Sequence, residues 1–224
     1  MIVITNQTET NFFLPEDGDI ARQKFLGQFD IAQEVWVMAY GFNMPEVCSK
    51  LKILDAQGIA CHLLIDNIQA HGPSTLPKLI DLKKTLQHAD ITITTAGIGS
   101  KTLGAIWHWK TLVVKTTDGY AIFDGSVNFT NTGWVQGNSA RQFDSQEWAE
   151  KFIEEFDKHR EWAQKERPQY QLTEEKMAAH MMLMPSMEDS LATLKELAKE
   201  INQENIQDII PEIMGLCMQF LDEV

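Results

Sequence analysis

The sequence lacks the two kinds of apolar segment that would direct a chain to or across a membrane. No run approaches the ~18 consecutive apolar residues that a membrane-spanning helix requires. The first ten residues, MIVITNQTET, contain neither the basic segment nor the long apolar segment of a secretory signal. We therefore expect a soluble, cytoplasmic protein without a transmembrane segment.

Cysteine is also scarce. The three residues, Cys48, Cys61 and Cys217, are odd in number and have no spacing typical of metal ligands. Isolated cysteines of this kind are usually reduced thiols in a reducing compartment. The sequence therefore predicts neither a disulfide framework nor a zinc site.

Positive charge is in short supply along the whole chain, which has a formal net charge of -13. Residues 168–224 hold three lysines against eleven acidic residues, a net charge of -8, and residues 1–167 have a net charge of -5. Neither part is the basic surface that proteins reading a DNA sequence with high affinity usually have. A polyanionic substrate would therefore have to be held locally, by a few cationic side chains.

The chain does have a regular alternation of predicted strands and helices. Compact β-prone runs separated by segments of helical spacing occur at residues 34–40, 59–66 and 90–95. Two more strands, TLVV and YAIF, are joined through the turn dipeptide Asp118-Gly119, and a long amphipathic helix follows at 145–166. This pattern predicts an α/β/α sandwich with a mixed, largely parallel sheet.

The composition changes at Pro168, after which short helical patterns rich in Leu, Ile and Met follow one another. We therefore divide the chain into an α/β domain, residues 1–167, and an acidic helical extension, residues 168–224. The extension is a candidate for binding a protein partner. A segment rich in glycine and small residues, 95–107, is interpreted as a loop that leads directly into His108.

The residue pattern that points to chemistry is HWK at 108–110, followed by GSVN at 125–128. Residues two apart on a strand share a face, so we expect His108 and Lys110 to project together. The hairpin should return Gly125, Ser126 and Asn128 to the same end of the sheet. An imidazole, an ammonium, a hydroxyl and an amide would then converge, a set suited to binding and attacking a phosphate.

This His-x-Lys pattern with a later Gly-Ser-x-Asn resembles the signature of the phospholipase D superfamily. The order of predicted elements between Asp19 and Trp162 is similar to that of the nucleases of this superfamily that carry a single motif. The resemblance implies a phospholipase D-like fold, no metal or other cofactor, and an active site formed by a homodimer. Nucleic acid is then the expected substrate.

The resemblance also implies a role for each residue of the pattern. His108 would attack phosphorus and form a phosphohistidine, while Lys110 would neutralise the non-bridging oxygens. Ser126 and Asn128 would hydrogen-bond the phosphate, and Gly125 would lie against the substrate. From the residue types alone, Ser126 and Asn128 could equally serve to form a turn.

Two positions differ from the family pattern. The family aspartate, five residues after the lysine, is replaced by Lys115, and Asp118 is either its displaced counterpart or a turn residue. The family glutamate that orients the histidine falls on Ser139 or Ala140. An imidazole without a carboxylate partner is expected to be a weaker catalyst.

Trp107 and Trp109 flank the histidine. Each either packs in the core or forms an aromatic rim on which a nucleobase stacks, and we count both as candidate substrate-binding residues.

Three functions follow from these observations. The first is a metal-independent nuclease acting on DNA or RNA through a phosphohistidine. The second is a phospholipid-cleaving enzyme of the same superfamily. The third, motivated by Lys115 and Ala140, is a weakly active or inactive binding module that uses its acidic extension to contact a protein.

Overall fold

The computed structural model describes residues 9–95 and 107–179. One compact unit ends at Gln171 and a second begins at Leu172. Of the second unit, only residues 172–179 are described, and 174–179 are helical. Most of the predicted extension, Cys217 and most of the loop before His108 therefore lie outside the described residues, and the boundary at 167 and 168 stays a prediction.

The first unit is built on a seven-stranded sheet whose strands have the spatial order β1-β7-β6-β5-β2-β3-β4. In chain order the strands are β1 (Thr10–Phe13), β2 (Glu34–Ala39), β3 (Ala60–Asp66), β4 (Ala89–Thr94), β5 (Lys110–Thr116), β6 (Gly119–Gly125) and β7 (Ser139–Phe143). The helices are α1 (Gly18–Gln28), α2 (Pro45–Ala56), α3 (Asn67–Ala70), α4 (Leu76–Thr85) and α5 (Gln146–Glu166).

The prediction of a mixed sheet is confirmed, with a different balance of directions. Strands β2, β3 and β4 are parallel neighbours, because a helix connects each to the next. Strand β5 runs antiparallel to β2, and the pairs β5–β6, β6–β7 and β7–β1 are also antiparallel. Among the described strands the antiparallel pairings are thus more numerous than the parallel ones. A tight hairpin joins β5 to β6 and can only connect antiparallel strands, and β7 returns to lie antiparallel to β1.

Helices cover both faces of the sheet, as the sandwich prediction requires. On one face, Phe152 and Phe156 of α5 pack into a core cluster with Trp36 and Val113 from the central strands. On the other face α1, α2 and α4 pack together against the sheet. There Phe25 of α1 is the centre of a group of aromatic rings, the phenylalanine cluster, whose other members are Phe29, Phe123, Phe129 and Trp134. Ile20, on the same helix, has an exposed side chain.

The residues of the His-x-Lys and Gly-Ser-x-Asn patterns lie at one end of the sheet. At this end β1, β2, β3, β4 and β6 finish, and β5 and β7 begin. We call it the motif edge and define it by the terminal residues Phe13, Ala39, Asp66, Lys110, Gly125 and Ser139. At the opposite end, the β5–β6 hairpin closes through Asp118 and Gly119, whose positive φ of 138° favours glycine.

Candidate active site

The two residues of the His-x-Lys pattern lie in different environments at the motif edge. Lys110 is the first residue of β5, and only 4% of its surface is exposed. His108 precedes the strand and is exposed. The Nζ atom of Lys110 donates a hydrogen bond to the carbonyl oxygen of His108 at 3.0 Å. The two residues are therefore held together by this contact, and not by a shared position on a strand.

Tyr40, at the end of β2, joins these two residues. Its backbone N–H donates to the carbonyl of Trp109 at 2.7 Å, which extends the β2–β5 pairing past Lys110. Its ring centroid lies 4.8 Å from that of His108 and 5.2 Å from Nζ of Lys110. The phenol also accepts a hydrogen bond from Gln69 at 3.2 Å. The ring of Tyr40 therefore packs against both the imidazole of His108 and the ammonium of Lys110.

Asp66, the last residue of β3, anchors the segment that leads into His108. It is almost wholly buried, with 1% of its surface exposed. One carboxylate oxygen accepts from the backbone N–H groups of Ile68 and Gln69, at 2.9 and 3.3 Å, and caps α3. The other accepts from the N–H of Trp107 at 2.7 Å. The backbone next to His108 is thus fixed by a carboxylate from a strand 41 residues earlier in the chain.

Asn128 is positioned by its neighbours in the chain and by Gly41. Alternation after β6 buries Val127 and Phe129, and Phe129 packs 4.7 Å from Phe25 in the phenylalanine cluster. The Phe129 N–H donates to the Gly41 carbonyl at 2.9 Å. A Cβ atom at Gly41 would lie only 3.1 Å from Cβ of Asn128, so a larger residue there would displace the amide. The side-chain oxygen of Asn128 is buried and has no partner among the described residues.

Ser126 and Gly125 contact β7. The Ser126 hydroxyl accepts from the Ser139 N–H at 2.9 Å and is within 3.2 Å of the Ser139 carbonyl. A Cβ atom at Gly125 would lie 2.3 Å from that same carbonyl oxygen, which only glycine avoids. Both residues therefore hold β6 against β7 in this structure, and their contact with a phosphate stays a prediction.

The two tryptophans differ in exposure. Trp107 is buried in the core cluster, with its ring centroid 4.2 Å from that of His159. Trp109 exposes 39% of its surface beside Phe152. Of the two, Trp109 alone offers a ring on which a nucleobase could stack.

The electrostatics of the site favour a neutral imidazole beside an easily deprotonated amine. Burial lowers the pKa of Lys110 to about 8, although the negative charge of Asp66 partly opposes this shift. The pKa of His108 is also lowered, first by desolvation and then by the charge of Lys110, with Asp66 again acting in the opposite direction. Burial raises the pKa of Asp66, and its backbone hydrogen bonds limit that rise.

The positions that differ from the family pattern lie away from the motif edge or carry no acid. Lys115 is near the far end of β5 and lies 4.0 Å from a carboxylate oxygen of Glu34. Asp118 is exposed in the hairpin turn, where its N–H donates to the Thr116 hydroxyl, so it has the turn role. Ala140 is buried in β7 opposite Gly125. Asp66, which accepts from the N–H of Trp107, is a buried acid at the motif edge.

The interpretation of the sequence missed Tyr40, Gly41 and Asp66. A signal for them was present, because each ends or follows a parallel strand, and ligands of open α/β sheets bind at the carboxyl ends of such strands. Within the described part of the chain, no group of three or more His, Cys, Asp or Glu side chains could hold a metal ion. Nor is any helix in this part long and apolar enough to cross a membrane.

Comparisons with known proteins agree on the fold. The family described as "Cardiolipin synthase, PLD-like domain" matches residues 29–160, more than half of the chain. NucT from Helicobacter pylori superposes with a TM-score of 0.60 at 18% identity, covering 69% of this chain and 96% of its own. Nuc, a phospholipase D family member from Salmonella typhimurium, has a TM-score of 0.55 at 20% identity and covers 69% and 94%.

A third structure, a phosphatidylserine synthase from Haemophilus influenzae, has a TM-score of 0.52 at 14% identity. It covers 70% of this chain and 40% of its own length. No curated protein matches the chain by sequence. At these identities the structural likenesses establish the fold alone. The family match covers both the His-x-Lys and the Gly-Ser-x-Asn segments, and the chain belongs to the phospholipase D-like family.

Proposed function

We propose that this protein is a metal-independent phosphodiesterase that cleaves DNA or RNA through a phosphohistidine, at a site shared by two subunits. The observation that carries this proposal is the environment of Lys110. Its ammonium is buried, and no described carboxylate lies within ion-pair distance of it. A buried cation that no carboxylate contacts directly is costly, so the site favours an anion supplied by a ligand.

The proposed reaction begins when the neutral imidazole of His108 attacks phosphorus. A P–N bond forms, the bond from phosphorus to the leaving oxygen breaks, and that oxygen takes a proton from an acid on the far side. Lys110 and the amide of Asn128 stabilise charge on the non-bridging oxygens. Water then attacks phosphorus, gives its proton to the same acid-base group, and breaks the P–N bond to release His108.

The acid is proposed to be a second His108. One imidazole cannot stand on both sides of phosphorus, and the chain has one His-x-Lys pattern followed by Gly-Ser-x-Asn. A two-fold axis through the site would supply the second imidazole, because a symmetric interface presents the same surface twice. The exposure of His108 and Trp109 at the motif edge supports such an interface.

Cleavage of labelled single- and double-stranded DNA, RNA and phospholipid vesicles in excess EDTA tests the reaction and its substrate. We expect one of the nucleic acids to be cleaved, and His108→Ala to abolish cleavage. His71→Ala is the matched control, since His71 is exposed on a different segment and its ring nitrogen bonds the Asn67 carbonyl of its own helix turn. Strict dependence on added magnesium would contradict the proposal, and cleavage of the vesicles alone would establish the phospholipase alternative.

The shared site has its own test. Mixing wild-type and His108→Ala chains should give hybrid dimers with far less than half of the wild-type turnover per dimer. A strictly monomeric active enzyme in light scattering, or a hybrid dimer with half of the activity or more, would refute sharing.

A binding or scaffold module is the second candidate. The observation in its favour is that Ser139 and Ala140 provide no carboxylate where the family has one. The carboxylate of Asp66 reaches the histidine segment through the backbone N–H of Trp107. Turnover of bis(p-nitrophenyl) phosphate separates the two candidates, because an inactive module would not hydrolyse this small diester.

The acidic extension is proposed to be a separable unit that binds a protein partner in the cytoplasm. The side chain of Gln171 bonds both the N–H and the carbonyl of Ile93 on edge strand β4, at 3.0 and 2.7 Å. We therefore place the working boundary after Gln171 and not after Arg167. Truncation after Arg167 should lower the free energy of unfolding by about 1–3 kcal/mol relative to truncation after Gln171. Equal stabilities in urea titrations would return the boundary to Arg167.

A further inference from the structure

A cavity of about 230 Å³ opens beside the Gly-Ser-x-Asn segment, and the proposed reaction leaves it unused. Its walls come from three adjacent strands, β1, β7 and β6. The side chains that matter are Asn11, Phe13, Asp124 and Arg141, and the backbone of Gly125 and Ser139 forms the side nearest the active site.

The register of the sheet places these side chains on one face. Asn11 lies opposite Arg141, which lies opposite Asp124, and Phe13 lies opposite Ser139. Residues in register on neighbouring strands point to the same side, and Asn11 and Phe13 are two apart on β1. Phe12 points the other way, into the phenylalanine cluster beside Phe123. The aromatic ring, the amide and the guanidinium therefore face the cavity together.

Arg141 is held rigidly. Its Nε and Nη2 atoms donate to one oxygen of Asp124, at 3.3 and 3.1 Å, and its guanidinium lies 4.6 Å from the centre of the Phe143 ring. The other oxygen of Asp124 accepts from Thr111 at 2.8 Å. With 41% of its side chain exposed, Arg141 still presents a donor edge to the cavity. A fixed donor of this kind loses little entropy when a ligand binds.

The charge of the cavity distinguishes between possible ligands. Asp124 neutralises Arg141, so a phosphate entering here would meet a carboxylate as well as a guanidinium. A neutral heterocycle would meet hydrogen-bond donors and acceptors without that repulsion. Phe13 adds an apolar ring, 66% exposed, on the outermost strand. Flat aromatic surface with arginine nearby is what proteins use to stack bases of single-stranded nucleic acid.

The cavity adjoins the Gly-Ser-x-Asn segment, which the proposed reaction places at the phosphate. Ser126 pairs with Ser139 through its backbone N–H at 2.8 Å, and Ser139 pairs with Phe13. Two strand spacings, about 10 Å, therefore separate Ser126 from Phe13. We infer that this cavity is a nucleobase subsite, in which the base next to the scissile phosphate stacks on Phe13 and is hydrogen-bonded by Arg141 and Asn11. The inference rests on the proposed function and gives it a substrate class: single-stranded nucleic acid.

The test compares a labelled single-stranded oligothymidylate with an abasic strand of equal length and charge. In fluorescence anisotropy, the wild type should bind the oligothymidylate about tenfold more tightly than the abasic strand. Phe13→Ala should remove this preference and leave affinity for the abasic strand unchanged. The double variant Asp124→Asn, Arg141→Gln, which stays neutral, should reduce the preference about threefold. Ile53→Ala, an exposed apolar residue on α2, is the matched control and should retain the full preference.

A wild type that binds both strands equally, or a Phe13→Ala variant that keeps the preference, would overturn the subsite. Turnover of bis(p-nitrophenyl) phosphate by the wild type reports on the proposed function separately. If that turnover is present and the base preference is absent, the subsite fails and the phosphodiesterase stands. If turnover is absent, the proposed reaction fails, and the binding ratio still decides whether the cavity accepts a base.

Discussion

The two ends of strand β5 each carry a lysine, and the two lysines are in opposite situations. Lys110 is buried at the motif edge with a pKa lowered to about 8, and its Nζ bonds a carbonyl oxygen. Lys115, about 17 Å along the same strand, is exposed and faces a carboxylate of Glu34 at 4.0 Å. The strand supplies the same residue type at both ends, and only the buried lysine that lacks a carboxylate partner is prepared for an external anion.

The acids repeat this contrast. Asp66 is buried at the motif edge and accepts three backbone hydrogen bonds, one of them from the residue next to His108. Asp118 is exposed in the turn at the other end of the hairpin. Burial and non-local bonding, not residue type, therefore separate the candidate site from the surface.

The largest effect should come from the lysine pair. Lys110→Ala should lower turnover of a phosphodiester about 10³-fold, because the charge that develops on the phosphate oxygens loses its fixed cation. Lys115→Ala should stay within about twofold of the wild type. Steady-state hydrolysis of bis(p-nitrophenyl) phosphate measures both, and equal losses in the two variants would remove the distinction between the ends of β5.

The second-largest effect should come from the two aspartates, Asp66 and Asp118. Asp66→Asn keeps the shape but loses a hydrogen-bond acceptor for the backbone at Trp107, so the segment carrying His108 should shift and kcat should fall about 10–100-fold. We expect the KM to change little, because Asp66 positions His108 and does not itself touch the substrate. Asp66→Glu should recover part of the loss in kcat. Asp118→Asn is the control and should match the wild type. An Asp66→Asn variant with full kcat would show that the anchor is dispensable.

The third prediction concerns stability. The folded-state pKa of Lys110 lies below its ordinary value of 10.5, so the folded protein binds a proton at this lysine less readily than the unfolded chain does. Below pH 8, where the lysine is charged in both states, this difference lowers the free energy of unfolding. Lys110→Met should therefore raise the free energy of unfolding at pH 7 by about 1–3 kcal/mol. In urea titrations, the wild type should gain stability between pH 8 and 10, whereas this variant should not. Lys115→Met should change stability by less than about 0.5 kcal/mol. A destabilised Lys110→Met would contradict the assigned penalty.

The smallest effect is the pH dependence of catalysis. Because the pKa of Lys110 is about 8, kcat/KM should fall about tenfold per pH unit above that value as the ammonium is lost. On the acid side, kcat/KM should rise as the attacking His108 becomes neutral, at a pH below its ordinary value of 6.5. The second His108 must keep its proton to act as the acid, so its deprotonation adds a decline of its own. Lys110→Arg should remove only the further loss above pH 8 from whatever activity remains. A basic limb unchanged in Lys110→Arg would assign it to another group.

Prediction from sequence was most successful where the residues themselves carry the signal. Strands β2 to β6 alternate or are continuously apolar, and the Asp118-Gly119 turn is a strong local signal, so these elements could be placed. Strand β1 is four residues long and β7 reads SARQF, without a clean alternation. Such strands form because neighbours already in place offer hydrogen bonds to an open edge, which no local pattern reveals.

The sequence alone determined the chemical groups available to this protein and their order along the chain: an imidazole and an ammonium two residues apart, then a hydroxyl and an amide beyond a hairpin. Tertiary structure alone decided what surrounds each group. It buried Lys110 with no described carboxylate within ion-pair distance, bonded Ser126 to Ser139, and placed Trp107 in the core. It also brought Tyr40 and Asp66 to the segment of His108 from 68 and 42 positions earlier in the chain. The physical reason is that burial and hydrogen-bond partners depend on which strands become neighbours, and that arrangement is set by packing of the whole sheet between its helices.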